Sequence, residues 1–289
     1  MWQARWIQAR LESAGEQCRI QIIHTTGDKV TDVALSKVGT KGLFTKEIEE
    51  ALLARTIDVA VHSLKDMPTD LPGGLTLAAI PEREDPRDAL IGRRLAELPT
   101  GARVGTSSLR RSAQLRAIRR DLQLENIRGN VDTRLRKLDE GQYDAIVLAA
   151  AGLRRLGWEN RIAELLDPET MCPAVGQGAL AVETRDDDGP AQQLARTLDH
   201  EATRIAVTAE RAVLAALGGG CQVPIGAHAT VNGSKFSLRA IIVSPDGTEI
   251  IRKQAQGVVT DAAAIGRQVG EQLLAEGGKQ ILDAVYGAA

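Results

Sequence analysis

The fold of this 289-residue chain is decided by one stretch near its middle, RVGTSSLRRSAQLRAIRRDLQLENIRGNVDTRLRKLDEGQYDAIVLA, which spans residues 103–149. Its apolar spacing predicts three strands that alternate with two helices. In chain order these are strand Arg103–Ser108, helix Leu109–Arg119, strand Leu122–Ile127, helix Val131–Glu140 and strand Ala145–Ala149. Because parallel strands are joined through crossover helices, this alternation indicates an open, mainly parallel sheet.

Two segments that interrupt the apolar pattern enclose this predicted sheet. Pro81–Asp88 (PEREDPRD) contains two prolines and no apolar side chain other than proline, and Pro173–Gly178 (PAVGQG) is rich in glycine. Both predict crossings between domains. The strand-like segments Ile57–His62 and Leu75–Ile80 precede the first crossing. The segment Ala179–Glu183 follows the second, and we expect it to return to the sheet that they form.

The last third of the chain predicts a separate, smaller unit. Pro190–Leu217 has helical spacing, Pro245–Gly247 is a turn between two strand-like segments, and Ala262–Ala275 closes the unit as a helix. Near the other end of the chain, Arg19–Thr25 alternates like a strand. The predicted fold class is α/β, with two lobes built on mainly parallel sheets and a small α+β C-terminal domain.

Composition excludes several classes of protein. Hydrophobic residues make up 43% and charged residues 26%, as in ordinary globular proteins, while the net charge of −2 argues against a nucleic-acid partner. No apolar run approaches the roughly 20 residues that span a bilayer. Met1–Arg10 does not resemble a signal segment, so we expect a cytoplasmic protein without a membrane partner. Cys18, Cys172 and Cys221 lack CxxC spacing, which predicts neither a disulfide framework nor a metal site.

A candidate catalytic carboxylate follows the predicted strand Ile57–His62, in the motif VHSLKDMP. Ligands of open α/β sheets bind at the carboxyl ends of strands, which makes Asp66 a candidate. The alternative is that Asp66 only begins the turn before Pro68. The neighbouring Ser63 is ambiguous on its own.

Four arginines follow strand ends of the middle sheet. In VGTSSLRR, a Gly-Thr-Ser-Ser turn at a helix start offers N–H groups and hydroxyls to an anion, and Arg110 and Arg111 come next. Helix capping explains one hydroxyl but not the rest. In NIRGNVDTR, Arg128 ends a strand and Arg134 lies in the first turns of a helix. Lone arginines are usually solvated, but guanidinium groups also bind carboxylates through two parallel hydrogen bonds. The four arginines at one edge of the middle sheet therefore predict a cleft for a small polyanion.

Two glycine-rich segments complete the set of candidates. In GGGCQVPIG, three glycines clear space beside Cys221, so a bulky group could lie against its sulfur; a buried, inert thiol is the alternative. In KVGTKGLF, Lys37 and Lys41 stand in a loop before a helix. That loop is also compatible with a plain surface segment.

The motifs together resemble those of the porphobilinogen deaminase family. The matching stretches are KVGTKGLFTKE, DVAVHSLKDMP, EREDPRDAL, VGTSSLRR, RGNVDTRL, YDAIVLAAAGLRRLG, PAVGQGAL and GGGCQVPIG, and they follow the family's order over nearly the whole chain. The resemblance implies an enzyme, a hydroxymethylbilane synthase. Such enzymes condense four molecules of porphobilinogen, release ammonia at each step and free a linear tetrapyrrole by hydrolysis.

The resemblance also implies three domains, a cofactor and a monomer. The first two domains would be lobes like those of periplasmic binding proteins, at residues 1–80 with 179–198 and at residues 84–173, and the third would be residues 201–289. The implied cofactor is dipyrromethane, joined by a thioether to Cys221. Asp66 matches the catalytic aspartate. The implied cofactor contacts are Ser63, Lys65, Thr106, Ser107, Ser108, Arg110, Arg111 and Arg128; the implied substrate contacts are Arg128, Arg134, Arg155, Lys37 and Lys41.

One departure from the family pattern leads to rival hypotheses. The family carries a strand with an Arg-x-Ser-x-Leu-Ala-type motif ahead of the helix that here starts at Trp2. We expect that strand to be missing from the first lobe, so that the chain is either trimmed at its start or an impaired homologue. A two-lobed anion-binding protein without catalysis is the other alternative, but it gives Asp66 and Cys221 no role.

Overall fold

The structure is a computed structural model that describes residues 1–25, 45–219 and 223–287. Its first sheet has the strand order β1-β8-β2, and both pairs are antiparallel. Apolar side chains of the helices around this sheet, among them Ile7 and Leu11, are buried against it. The elements of this unit are α1 (Trp2–Ser13), α2 (Lys46–Leu53), β1 (Val59–Ser63), β2 (Leu75–Ala79), β8 (Leu180–Arg185) and α6 (Pro190–Arg196).

The second sheet has the order β5-β4-β6-β3-β7. Strand β4 pairs in parallel with both β5 and β6, whereas β3 pairs antiparallel with β6 and β7. The strands are β3 (Asp88–Ile91), β4 (Arg103–Gly105), β5 (Gln123–Glu125), β6 (Ala145–Ala149) and β7 (Ile162–Leu165). The helices are α3 (Leu109–Ile118), α4 (Val131–Asp139) and α5 (Ala150–Arg155). The parallel part of the sheet is the stretch that alternates strand and helix in sequence.

The third sheet is an antiparallel meander with the order β11-β10-β9, and helices cover one face of it. Its strands are β9 (Ile225–Asn232), β10 (Lys235–Val243) and β11 (Ile250–Val258). The helices are α7 (Glu201–Ala216), α8 (Ala262–Leu273) and α9 (Lys279–Gly287). Gly266 and Gly270 of α8 lie so close to α7 that a Cβ at either would meet α7 backbone within 3 Å.

The predicted fold class is confirmed, including the return of the chain to the first sheet as β8. Among the described strands, parallel pairing occurs only between β4 and its neighbours β5 and β6, whereas β8 runs antiparallel to both β1 and β2. Arg19–Thr25 belongs to no strand among the described residues, so that prediction is wrong. The predicted long helix is two helices. It breaks where the Asp199 carboxylate accepts a hydrogen bond from the Ile80 N–H, at 2.7 Å.

A buried carboxylate on α7 holds the three sheets together. Glu210 is fully buried and accepts two hydrogen bonds from the Arg83 guanidinium, at 2.6 and 3.1 Å. Its oxygens also accept the N–H groups of Gly176 and Ala229. Arg83 and Gly176 belong to the two crossings and Ala229 to β9. One carboxylate therefore fixes both crossings to the third sheet.

The turn between β10 and β11 packs on helix α3 of the second sheet. Gly247 has φ +76°, and a Cβ there would lie 2.6 Å from the Ala117 nitrogen. The Arg116 guanidinium donates to the Pro245 carbonyl at 2.8 Å. The third sheet is thus fixed to the helix whose N-terminus follows the Thr-Ser-Ser turn. No described helix is both long and apolar enough to cross a membrane.

Candidate active site

Strand β1 delivers three of the predicted site residues to one edge of the first sheet. After Ser63 the chain forms a single 3-10 turn, and Leu64 anchors this turn in the core, 1% exposed. Asp66 is exposed, and Lys65 is half-buried. The Ser63 hydroxyl accepts a hydrogen bond at 2.8 Å from the amide of Gln3 on α1.

Lys65 lies between this edge and the arginines of the second sheet. Burial lowers the pKa of Lys65, the nearby Asp66 carboxylate opposes that shift, and the positive charge of Arg111 lowers the pKa further. The ammonium group therefore has two nearby carboxylates, Asp66 and Asp88, and two neighbouring cations, Arg111 and Arg110. This places Lys65 near the two arginines at the start of α3 in the second sheet.

The Thr-Ser-Ser turn between β4 and α3 uses much of its hydrogen-bonding capacity internally. Thr106 is buried, and its hydroxyl accepts the Ser108 N–H at 3.2 Å. Ser108 is the N-cap of α3 and accepts the Arg111 N–H. The Ser107 hydroxyl donates to the Ile127 carbonyl. Ser107 is exposed at this edge, but Thr106 is mainly part of the turn.

Arg110 and Arg111 do not project freely into the cleft as the sequence predicts. Both are buried, at 4% and 7% exposure, and both bind the carboxylate of Asp88. Arg110 spans the two Asp88 oxygens at 2.7 and 3.2 Å and also donates to the Cys172 carbonyl at 2.7 Å. Two adjacent buried guanidinium groups need a counter-charge, which explains the difference.

Sequence reasoning missed Asp88 and Gln177, which complete this cluster. Burial alone would raise the pKa of Asp88, but Arg110 and Arg111 outweigh burial and hold the pKa well below its usual range. The Gln177 amide donates to Asp88 and to the Pro86 carbonyl, at 2.9 and 2.7 Å. The only signal in the sequence was that an acidic residue, Asp88, begins the otherwise apolar strand Asp88–Ile91.

Arg128 and Arg134 form a second group of cations next to Arg111. Burial lowers the pKa of Arg134, and the charges of Arg111 and Arg128 lower it further. The Arg134 Nε donates to the Gly129 carbonyl at 2.7 Å. Lys65, Arg128 and Arg134 form no ion pair with any residue in the described ranges, so their charges are available to a ligand.

Arg155 lies at the end of α5, next to the second crossing. Burial lowers its pKa, and the Glu84 carboxylate opposes that shift. Its guanidinium donates to the Gly178 carbonyl at 2.7 Å and lies 5.7 Å from the centroid of the Trp2 ring. Arg155 therefore links the second sheet to helix α1 of the first.

The remaining predicted site residues, Lys37, Lys41 and Cys221, lie outside the described residues. The segment that leads to Cys221 has positive φ at Gly218 and Gly219, which only glycine adopts readily. The Tyr286 hydroxyl donates to the Gly219 carbonyl at 2.9 Å. Cys172 is not a rival attachment site, because it is buried and burial raises the pKa of its thiol to about 12.

The described donors suit a ligand with several carboxylates. Lys65, beside Asp66, lies near Arg111, and Arg111 in turn lies near Arg134, which also neighbours Arg128. Lys65, Arg128 and Arg134 form no ion pair within the described part of the chain. Buried or half-buried cations of this kind gain from planar carboxylate partners. No group of His, Cys, Asp or Glu side chains that could hold a metal occurs within residues 1–25, 45–219 and 223–287.

Comparison with known proteins gives matches over most of the chain. Residues 1–193 match the family model described as porphobilinogen deaminase, dipyromethane cofactor binding domain, and residues 204–275 match the C-terminal domain of porphobilinogen deaminase. The porphobilinogen deaminase of Syntrophobacter fumaroxidans is 52% identical over 98% of this chain and 93% of its own. That of a Roseiflexus species is 53% identical over 97% and 94%.

Among solved structures, a periplasmic arginine-binding protein of Salmonella typhimurium covers 68% of this chain and 80% of its own. The two are 11% identical, with a TM-score of 0.38.

Proposed function

Because this chain belongs to the porphobilinogen deaminase family, we propose that it condenses four molecules of porphobilinogen into the linear tetrapyrrole hydroxymethylbilane. It would act as a transferase of porphyrin biosynthesis that releases one ammonia per pyrrole. The observation that carries the proposal is that Lys65, Arg128 and Arg134, which neighbour Arg111 or each other, form no ion pair among the described residues. Each porphobilinogen has an acetate and a propionate, so a growing chain gains two carboxylates with every ring.

The residues present fit the dipyrromethane cofactor that the family model names. The thioether would form at Cys221, and the cofactor would supply the pyrrole end to which substrate is added. The carboxylates of the cofactor would meet donors from both sheets. These are Ser63, Lys65, Thr106, Ser107, Ser108, Arg111 and Arg128, and Arg110 supports them by sharing Asp88 with Arg111.

Asp66 is the proposed catalytic residue. Loss of ammonia leaves a positive charge on the substrate pyrrole, and the attacking pyrrole later gives up a proton. An exposed carboxylate at the end of β1 can stabilise that charge and accept hydrogen bonds from pyrrole N–H groups. Lys65, which directly precedes Asp66 in the chain, would bind a carboxylate of the same pyrrole. The proposed substrate contacts on the other side are Arg128, Arg134, Arg155, Lys37 and Lys41.

We also propose that the three sheets correspond to three domains. Their bounds would be residues 1–80 with 179–198, residues 84–173 and residues 201–289. Each sheet packs apolar side chains against its own helices, which supports this division. The finer proposals are that the protein acts in the cytoplasm as a monomer and binds porphobilinogen rather than a macromolecule.

The test is to incubate the purified protein with porphobilinogen and to follow substrate loss, ammonia release and product absorbance. We expect four substrates consumed and four ammonia molecules released per tetrapyrrole. Intact mass should show one dipyrromethane adduct, absent from Cys221→Ser and retained in Cys172→Ala. A binding protein without catalysis would leave the substrate concentration unchanged, and that result would overturn the proposal.

The first prediction concerns Asp66→Asn. This change keeps the shape of the side chain and removes its charge, so turnover should fall at least 100-fold, since one well-placed electrostatic contact is worth about that much. The melting temperature should stay within a few degrees because Asp66 is exposed. Asp70→Asn, at an exposed position nearby, is the matched control and should keep normal turnover. Near-normal turnover of Asp66→Asn would make Asp66 a turn residue only.

A further inference from the structure

The ring of Trp2 lies beside the proposed site, although Trp2 is not among the site residues named so far. Trp2 begins helix α1 and is 38% exposed. Its ring stacks on Trp6, with centroids 6.1 Å apart and planes 27° apart. Arg10 covers Trp6, 3.2 Å from the ring centroid. Trp6 and Arg10 thus support Trp2, whereas part of Trp2 itself is open to solvent.

The two neighbours of Trp2 place it at the site. The next residue, Gln3, donates to Ser63, at the end of β1 and three residues before Asp66. The Arg155 guanidinium, from the second sheet, lies 5.7 Å from the Trp2 centroid. That distance is close to the limit of about 6 Å for a cation–π contact. The indole therefore lies beside Arg155, a proposed substrate contact, but does not pack tightly against its guanidinium group.

We propose that Trp2 is a substrate-contacting residue whose indole packs against a pyrrole ring while Arg155 binds a carboxylate of the same pyrrole. This inference rests on the proposed function and extends it. Cations alone do not distinguish a pyrrole from an aliphatic dicarboxylate of similar charge. An aromatic wall does, because ring-on-ring packing adds a contact that only a flat, electron-rich ligand makes. Trp2 thus contributes specificity for the ring, and Arg155 binds the charge.

The kinetic test compares Trp2→Leu, Trp2→Phe and the control Trp6→Phe. Aromatic contacts of this kind are worth about 0.5–1.5 kcal/mol, which corresponds to roughly a two- to tenfold rise in KM for porphobilinogen in Trp2→Leu. Trp2→Phe should recover most of that loss, and kcat should change little. Trp6→Phe should lower the melting temperature without raising KM. An unchanged KM in Trp2→Leu would overturn the proposal, whatever happens to its stability.

A second measurement keeps Trp2 in place. The chain has three tryptophans, so Trp6→Phe with Trp158→Phe leaves Trp2 as the sole indole fluorophore. In an Asp66→Asn background, which slows turnover, porphobilinogen should change the emission with a midpoint near the KM of the active enzyme. A saturating succinate control should leave the emission unchanged. No response to porphobilinogen would overturn the proposal, whereas failure of the native chain to consume porphobilinogen would overturn the proposed function instead.

Discussion

At the scale of single residues, the surroundings of a charged side chain decide whether it is available to a ligand. Arg134 and Arg136 lie two positions apart on α4, yet their surroundings differ. Arg134 is half-buried beside Arg111 and Arg128 and has no ion-pair partner within residues 1–25, 45–219 and 223–287. Arg136 is exposed and lies 3.8 Å from Glu140, one turn along the helix. A ligand carboxylate would therefore meet Arg134 and not Arg136.

The second prediction follows from that contrast. Arg134→Leu should lower kcat/KM by roughly 10- to 100-fold, because a charge-assisted hydrogen bond is worth about 1.5–3 kcal/mol. Its melting temperature should stay level or rise, because a like charge is removed from the group. Arg136→Leu should leave both quantities near their native values. Equal kinetic losses in the two variants would show that the effect is long-range charge alone.

The third prediction concerns Asp88, which neutralises Arg110 and Arg111. Asp88→Asn leaves two buried guanidinium groups without a counter-charge, and breaking a buried pair in this way costs about 3–5 kcal/mol of unfolding free energy. The measurement is urea unfolding at pH 7. Asp121→Asn, at the partly exposed pair with Arg119, is the control and should cost less.

The same variant has a defined pH dependence. The pKa of Asp88 is depressed in the folded protein, whereas the unfolded chain has the ordinary value near 3.9. The stability from Asp88 is therefore fully present above about pH 5 and is lost as the pH falls below 4 towards the folded-state pKa. The difference in unfolding free energy between native chain and Asp88→Asn should shrink at pH 3. A pH-independent difference would mean that hydrogen bonding, rather than charge, sets the cost.

At the scale of elements, the β10–β11 turn shows how closely the units are fitted. Ser244 accepts the Gly247 N–H at 2.8 Å, which closes the turn, and Gly247 then lies against the backbone of α3. Hairpin β9–β10 has a comparable glycine, Gly233, with φ +58° but with nothing within 4 Å of its Cβ position. The two glycines share a left-handed backbone and differ in their surroundings.

The fourth prediction uses this pair. Gly233→Ala should cost about 1 kcal/mol, the usual penalty of a left-handed backbone for a residue with a Cβ. Gly247→Ala should cost about 1–3 kcal/mol more, because its Cβ would lie 2.6 Å from the Ala117 nitrogen and neither backbone can move easily. Thermal unfolding of both variants tests this. Similar losses would mean that the turn can shift away from α3.

Elements with a strong local pattern could be predicted from the sequence, and elements that depend on distant partners could not. The parallel part of the second sheet follows from its alternating strands and helices. Arg19–Thr25 has the same apolar alternation but no strand partner in the described structure, and alternation alone does not supply one. The break between α6 and α7 depends on Asp199, which binds a backbone group more than a hundred residues earlier.

For the site, sequence predicted the residue types but not which cations are paired. The sequence placed Asp66 after a strand and Arg134 in the first turns of a helix, and in the structure Asp66 follows β1 and Arg134 lies in the first turns of α4. The motifs gave no sign that Arg110 and Arg111 share Asp88, because 22 positions separate Asp88 from Arg110 in the chain. Nor did they indicate Trp2, since an aromatic residue on an amphipathic helix is normally assigned to the core.

At the scale of the whole molecule, Glu210 shows why the three sheets depend on one another. It binds both crossings and β9, so removing residues 201–289 would leave the Arg83 guanidinium without its carboxylate partner. A fragment that ends at residue 200 should therefore be less stable than the same two sheets are within the whole chain. The site lies between the first two sheets, but its geometry depends on a carboxylate of the third.

The position of β8 also has a consequence for synthesis on the ribosome. Among the described strands of the first sheet β8 lies between β1 and β2, although it begins about 100 residues after β2 ends. At translation rates of about 5–20 residues per second, the two outer strands wait roughly 5–20 seconds for the strand that joins them. During that interval both expose unpaired backbone and apolar faces. The nascent chain is thus most exposed to aggregation and to chaperones while the second sheet is being made.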